Sequence, residues 1–165
     1  MTRRILFVLF ALLLTVRAAA FAQSVVFVVR HAERADAGMM AASGADPDLS
    51  AAGHSRAEAL ATALKDARIT AIYVTEFKRT RQTAEPLAKL LGLEPAVLSS
   101  KDTDGLAQRV KSSTGNVLVV GHSNTVPTLI EALAGEAVTV GDSDYDNLFL
   151  VTSGAARSVL RLHYR

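Results

Sequence analysis

Two runs of the chain are apolar and of strand length: Ser24 to Arg30, SVVFVVR, and Asn116 to Gly121, NVLVVG. Neither alternates, so both predict strands buried on both faces, the habit of a parallel sheet covered by helices. Between them the period changes to that of helices. Ser50 is a natural N-cap, and Ala57, Leu60, Ala61 and Leu64 form the i, i+3, i+4, i+7 stripe of a helix running to Ala67. Ile69 to Thr75 is a short β-rich run. A second stripe, Ala84, Leu87, Ala88 and Leu91, ends at Gly92, where a helix C-terminal glycine belongs. That helix starts near Thr80; because Pro86 is comfortable only in first turns, either the start lies nearer Gln82 or the helix kinks.

Pro95 to Leu98 predicts a third strand and Asp104 to Ser112 a weaker helix. Val126, Leu129, Ile130 and Leu133 predict a final helix closed by Gly135. Asn147 to Thr152 and Ser158 to Tyr164, around Gly154, read as a terminal antiparallel pair. The alternation of strands and helices predicts an α/β fold: a three-layer α/β/α sandwich with a mostly parallel sheet and an antiparallel C-terminal strand. Ala35 to Asp48 is polar and reads as a long loop of the kind that often serves function.

Length and composition add one domain of 165 residues, half of them apolar, with no repeat or linker. The first 22 residues read differently. Thr2-Arg3-Arg4 is a basic start, Ile5 to Val16 is apolar but short for a bilayer span, and Ala20-Phe21-Ala22 fits a small-x-small cleavage site. This predicts a signal peptide over 1–22, cleavage before Gln23, a domain over 23–165, and a secreted or periplasmic protein without stable membrane insertion. The rival is an uncleaved anchor. There is no cysteine, so neither a disulfide nor a lipidated cysteine is possible. The leader holds three of the 18 basic residues, Arg3, Arg4 and Arg17. Removing it leaves 15 against 16 acidic ones, a formal charge of −1. Nothing global points to nucleic acid.

Positive charge is local instead, in Arg30-His31-Ala32-Glu33-Arg34 and in Lys78-Arg79-Thr80-Arg81. The first apolar run delivers His31 and the second delivers His122, and strand carboxyl ends are where open α/β sheets present chemistry. Each feature alone has a plain reading: hydrogen-bonded structural histidines and solvated helix-end arginines. Together, two imidazoles and several guanidinium groups suit attack on a phosphate ester. A two-histidine metal site is the rival, and the nearby arginines would repel a dication.

The motifs resemble the histidine phosphatase superfamily, also called phosphoglycerate-mutase-like. Arg30-His31-Ala32 is similar to its Arg-His-Gly string, with alanine in place of glycine. Thr75-Glu76-Phe77-Lys78-Arg79 leading into Gln82-Thr83-Ala84 resembles its Ser-x-x-x-Arg element, and Gly121-His122-Ser123 its second histidine. Leu49-Ser50-Ala51-Ala52-Gly53 resembles its Leu-Ser/Thr-x-x-Gly element. The resemblance implies a nucleophile, His31, forming a phosphohistidine, with Arg30, Arg79 and His122 around the phosphoryl oxygens. It implies no cofactor and no metal. Arg34, Lys78 and Arg81 have two readings: contacts to an anionic substrate, with Arg34 a phosphate-binding candidate, or solvated charges on the rim.

The family's proton donor often lies in an insertion before the second histidine, where this chain has only Leu93 to Gly115. Glu33 and Glu76 adjoin the motifs and are the candidate acids, each with a salt-bridge role as its alternative. The expected activity is an exported phosphomonoesterase acting on a small-molecule or glycolipid phosphoester. Its alternatives are a phosphohistidine protein phosphatase and a non-catalytic phosphate- or glycolipid-binding protein.

Overall fold

The computed structural model describes residues 24–36, 46–152 and 157–165. The proposed leader, the middle of the Ala35–Asp48 loop and the turn around Gly154 lie outside the described residues. Ten elements follow in order: β1 Val25–Arg30, α1 Ala51–Leu64, β2 Ile69–Thr75, α2 Lys78–Leu91, β3 Ala96–Leu98, α3 Thr103–Ser112, β4 Asn116–Gly121, α4 Thr125–Ala134, β5 Asn147–Thr152 and β6 Ser158–His163. The six strands form one sheet in the order β3-β2-β4-β1-β5-β6. The first four are parallel. β5 runs antiparallel to β1, and β6 antiparallel to β5.

The two uninterrupted apolar runs are the central neighbours β1 and β4, and their side chains alternate between two cores. Phe27, Val29, Leu118 and Val120 pack with Leu60 and Leu64 of α1 and Leu87 of α2. Val26, Val28, Val117 and Val119 pack on the opposite face with Val110 of α3 and Leu129, Ile130 and Leu133 of α4. The result is the three-layer sandwich, with helices on both faces.

Two boundaries differ from the sequence expectation by more than one residue. α1 stops at Leu64, where Ala67 folds back to donate to the Leu64 carbonyl at 3.0 Å. α2 starts at Lys78, not at Thr80 or Gln82, so Pro86 lies mid-helix. The reason is a cap from outside the local sequence. The Lys78 amide donates to both carboxylate oxygens of Asp46, at 3.0 and 3.1 Å, while Phe77 at the N-cap position supplies no side-chain bond. That long-range cap, together with the Thr80 hydroxyl donating to the Phe77 carbonyl at 2.8 Å, holds the early turn despite the amide missing at Pro86. Arg79 therefore sits in a helix's first turn, where the backbone amides and the dipole favour an anion.

Candidate active site

Parallel register brings the two histidines together. Arg30 of β1 lies opposite Gly121 of β4, and the His31 amide donates to the Gly121 carbonyl at 2.9 Å. Both strands end at the same level, and the imidazole centroids are 5.3 Å apart. β2 lies on the other side of β4, so Thr75 at its end and Arg79 just beyond reach the same place.

His31 is buried, and its Nδ1 lies 2.8 Å from the Ala32 carbonyl. A carbonyl only accepts, so Nδ1 carries the proton and Nε2 keeps a lone pair. Burial lowers the pKa of His31 to about 3, the Ala32 bond opposing and the nearby His122, Arg79 and Arg30 adding to the fall. The ring is thus neutral throughout the physiological range, with its Nε2 lone pair free. Thr83 fixes the backbone behind it: the Ala32 amide donates to the Thr83 hydroxyl at 2.9 Å, and that hydroxyl donates to the Arg79 carbonyl at 2.7 Å. Gln82 bridges to the Leu49 amide and to Asp48. The Gln82-Thr83-Ala84 string is therefore a set of struts.

Gly53 belongs to the same scaffold. A Cβ there would meet the Glu33 carbonyl at 2.2 Å, and that carbonyl accepts the Ser50 amide at 2.9 Å. The start of α1 thus lies directly against the His31 loop. Ala32, fully buried, fits among Leu49 and Ala57, so its methyl finds room where the family pattern has glycine.

His122 has both ring nitrogens occupied. Its Nε2 is 3.0 Å from the Thr75 hydroxyl and its Nδ1 is 3.4 Å from Nη2 of Arg79. The guanidinium only donates, which makes Nδ1 an acceptor and Nε2–H the donor to Thr75. Burial, reinforced by Arg79, lowers its pKa to about 4. Thr75 is in turn bonded to Thr80, with 3.0 Å between hydroxyls.

The two arginines are held but not saturated. Arg30 is 8 % exposed; its Nη1 donates to the Gly141 carbonyl at 2.8 Å and its guanidinium stacks 4.2 Å over Tyr145. Arg79 stacks 4.1 Å over Phe77 and faces Asp46 at 3.5 Å. Each keeps a buried Nε with no hydrogen-bond partner. Two buried cationic donors without acceptors, beside two neutral imidazoles, are a receptor for an anion.

Arg30, His31, Arg34, Arg79 and His122 all line one open cavity of about 430 Å³. Two larger surface cavities, of about 520 and 570 Å³, contain neither histidine. Arg34 reaches the rim with its fork committed to Asp36, at 2.8 and 2.6 Å. Lys78 is on the surface, 3.6 Å from Asp48, and Arg81 lines a different cavity.

Neither glutamate is brought to this cavity. Arg56 of α1 takes both oxygens of Glu33 through its Nε, at 2.8 and 2.9 Å. Arg56 thus draws that carboxylate to the side of α1. Glu76 accepts from the Ser100 amide and hydroxyl, at 2.8 and 2.9 Å. Burial works to raise its pKa, but its own backbone amide and Ser100 outweigh burial and hold it below the usual range, which suits a base better than an acid. The sequence reading missed Tyr145 and Asp142, which reach the site from the long α4–β5 connection. No local motif marks that segment. Thr75 was visible as the first residue of the middle motif, but not as the partner of His122.

Among the described residues, no three or more His, Cys, Asp or Glu side chains are grouped to hold a metal ion. No helix of the described residues is long and apolar enough to cross a membrane.

Comparison with solved structures finds the same fold. The protein histidine phosphatase SixA, complexed with tungstate, superposes with a TM-score of 0.67 at 23% identity, covering 84% of this chain and 96% of that one. Mycobacterial glucosyl-3-phosphoglycerate phosphatase gives 0.66 at 14% identity, covering 86% and 98%. Its complex with VO3 gives 0.67 at 16%, with the same coverage. Sequence comparison with curated proteins finds no significant match. The family model described as histidine phosphatase superfamily (branch 1) matches residues 26–101, the stretch that carries His31, the Leu49–Gly53 element and Arg79. That match and this fold make the histidine phosphatase superfamily the family to which the chain is similar.

Proposed function

We propose that the protein hydrolyses phosphomonoesters through a covalent phosphohistidine on His31, with Arg30, Arg79 and His122 as the phosphate cradle. That it is a phosphatase is supported by the family-model match together with the shared fold; the ester substrate, the intermediate and the residue roles are the proposal. The observation that carries it is the pair of protonation states. The Ala32 carbonyl leaves Nε2 of His31 with its lone pair, beside two arginines each holding a buried, unused Nε donor.

In the first step His31 Nε2 attacks phosphorus as the ester P–O bond breaks. The guanidinium groups meet the charge on the equatorial oxygens. Water then attacks phosphorus, the P–N bond breaks, and inorganic phosphate leaves. Guanidinium and imidazole supply the electrophilic environment, so turnover is expected with chelator present.

A phosphohistidine substrate is the second reading, because SixA shares the fold. The open cavity serves either, since it leaves room for a bulky leaving group. The experiment is a panel of alkyl, aryl and glycosyl phosphates and a phosphohistidine peptide, run on protein beginning at Gln23 with EDTA. Ester turnover is the expected result; turnover confined to the phosphohistidine peptide would replace the ester reading. Export, by a leader over 1–22, is part of the proposal and rests on the N-terminal pattern alone. An intact Met1 or Thr2 on protein from its native host would reject cleavage.

A further inference from the structure

The mouth of the cavity holds one carboxylate that the motifs do not mark. Asp142 lies on the α4–β5 connection and lines the cavity together with Arg30, His31, Arg34, Arg79, Lys101 and His122. Its backbone is anchored. Residues 141–144 form a turn in which the Asp144 amide donates to the Gly141 carbonyl at 3.1 Å, while the Gly141 amide donates to the Asp144 carboxylate at 2.9 Å. The same Gly141 carbonyl accepts Nη1 of Arg30. The turn that presents Asp142 is thus bolted to an arginine of the phosphate cradle.

The neighbouring acids are all occupied. Asp144 holds the turn and meets Arg161 at 3.5 Å, and Asp146 takes His163 at 3.1 Å. Asp36 is forked by Arg34, Asp46 caps α2, Glu33 is taken by Arg56 and Glu76 by Ser100. Asp142 has no hydrogen bond or ion pair among the described residues, and it is the carboxylate among the described residues that lines the cavity.

We infer that Asp142 is the proton donor to the leaving oxygen, which makes the enzyme competent for esters of poorly leaving alkyl alcohols. This rests on the phosphomonoesterase reading above. Asp142 enters the first step as the acid. As His31 Nε2 bonds to phosphorus and the P–O bond breaks, the carboxyl proton passes to the ester oxygen, which departs as the alcohol. In the second step the Asp142 carboxylate takes a proton from water as the water oxygen bonds to phosphorus. The P–N bond breaks, phosphate leaves, and both side chains return to their starting states.

The test is Asp142→Asn against two leaving groups, 4-nitrophenyl phosphate and an alkyl phosphate such as glycerol 2-phosphate, with Ser143→Ala as a control for the turn. The alkyl substrate should lose about 10²–10⁴-fold in kcat/KM, the range of a positioned acid, and the nitrophenyl substrate far less. Orthovanadate should bind the variant at least as tightly as wild type, showing that the cradle is intact. An equal change for both substrates would mean that Asp142 acts only through its charge or through the turn, and would overturn the inference. So would full alkyl turnover by the variant. Neither result touches the phosphomonoesterase reading, which fails separately if wild type hydrolyses no ester.

Discussion

The ends of β1 and β4 are near mirror images in sequence, an apolar strand followed by histidine, yet they hold the ring in opposite ways. At β1, His31 spends Nδ1 on its neighbour's carbonyl and leaves Nε2 without a partner. At β4, His122 spends both nitrogens, one on Thr75 and one on Arg79. The first arrangement keeps a lone pair free to attack. The second holds a ring in place, next to a guanidinium, to face what is attacked. What separates a ring with a free lone pair from one with both nitrogens engaged is not the residue, its burial or its strand. It is the hydrogen-bond role of the atom behind each ring: a carbonyl that can only accept, against a hydroxyl that can do either.

The sharpest break of this comparison is to remove each ring in turn. His31→Ala should abolish turnover, and rapid quench with labelled substrate should trap acid-labile, base-stable phosphate on wild type but not on this variant. His122→Ala should retain a slow phosphoenzyme, since it leaves the attacking nitrogen in place and removes only the ring that accepts from Arg79. Label found on His122 in the wild-type protein would reverse the two assignments.

A smaller effect separates the cradle from its rim. Arg79→Ala should weaken orthovanadate binding by about 1.5–3 kcal/mol, the worth of a charge-assisted hydrogen bond. Lys78→Ala, one residue away but facing solvent, should change it by much less. Equal losses from both, read by titration, would mean that the first turn of α2 does not point its second residue into the site.

The smallest effect is graded with pH. Both rings titrate lower in the folded protein than the ordinary 6.5, to about 3 and about 4. The unfolded chain therefore binds more protons between these values, and folding stability falls as pH drops below 6.5. Each ring contributes about 1.4 kcal/mol per pH unit across that window, and the contribution is fully present above it. Denaturant melts from pH 7 to 4.5 should show wild type losing stability faster than His31→Asn. Parallel curves would mean that the His31 ring is charged, or water-exposed, in the native state.

Much of this molecule can be read from its strings because the physics behind them is local. A continuous apolar run can only be satisfied with both faces covered, so β1 and β4 and their parallel company follow from composition. Gly92 and Gly135 mark helix ends because both adopt a left-handed backbone there, at φ 65° and 74°. The histidines and Arg79 sit within motifs and are found without coordinates.

The rest depends on partners far away in the chain, which no local pattern encodes. α2 begins at Lys78 because Asp46, 32 residues earlier, caps it. Glu33 lies two residues beyond His31 in sequence yet leaves the site, because Arg56 on α1 is where its charge is best met. Asp142 and Tyr145 are unremarkable in sequence and enter the site because the segment that carries them is tied to Arg30. Apolar periodicity depends on a chain's own neighbours and so is written along it. The destination of a charged side chain is chosen by competition among partners that only folding brings within reach.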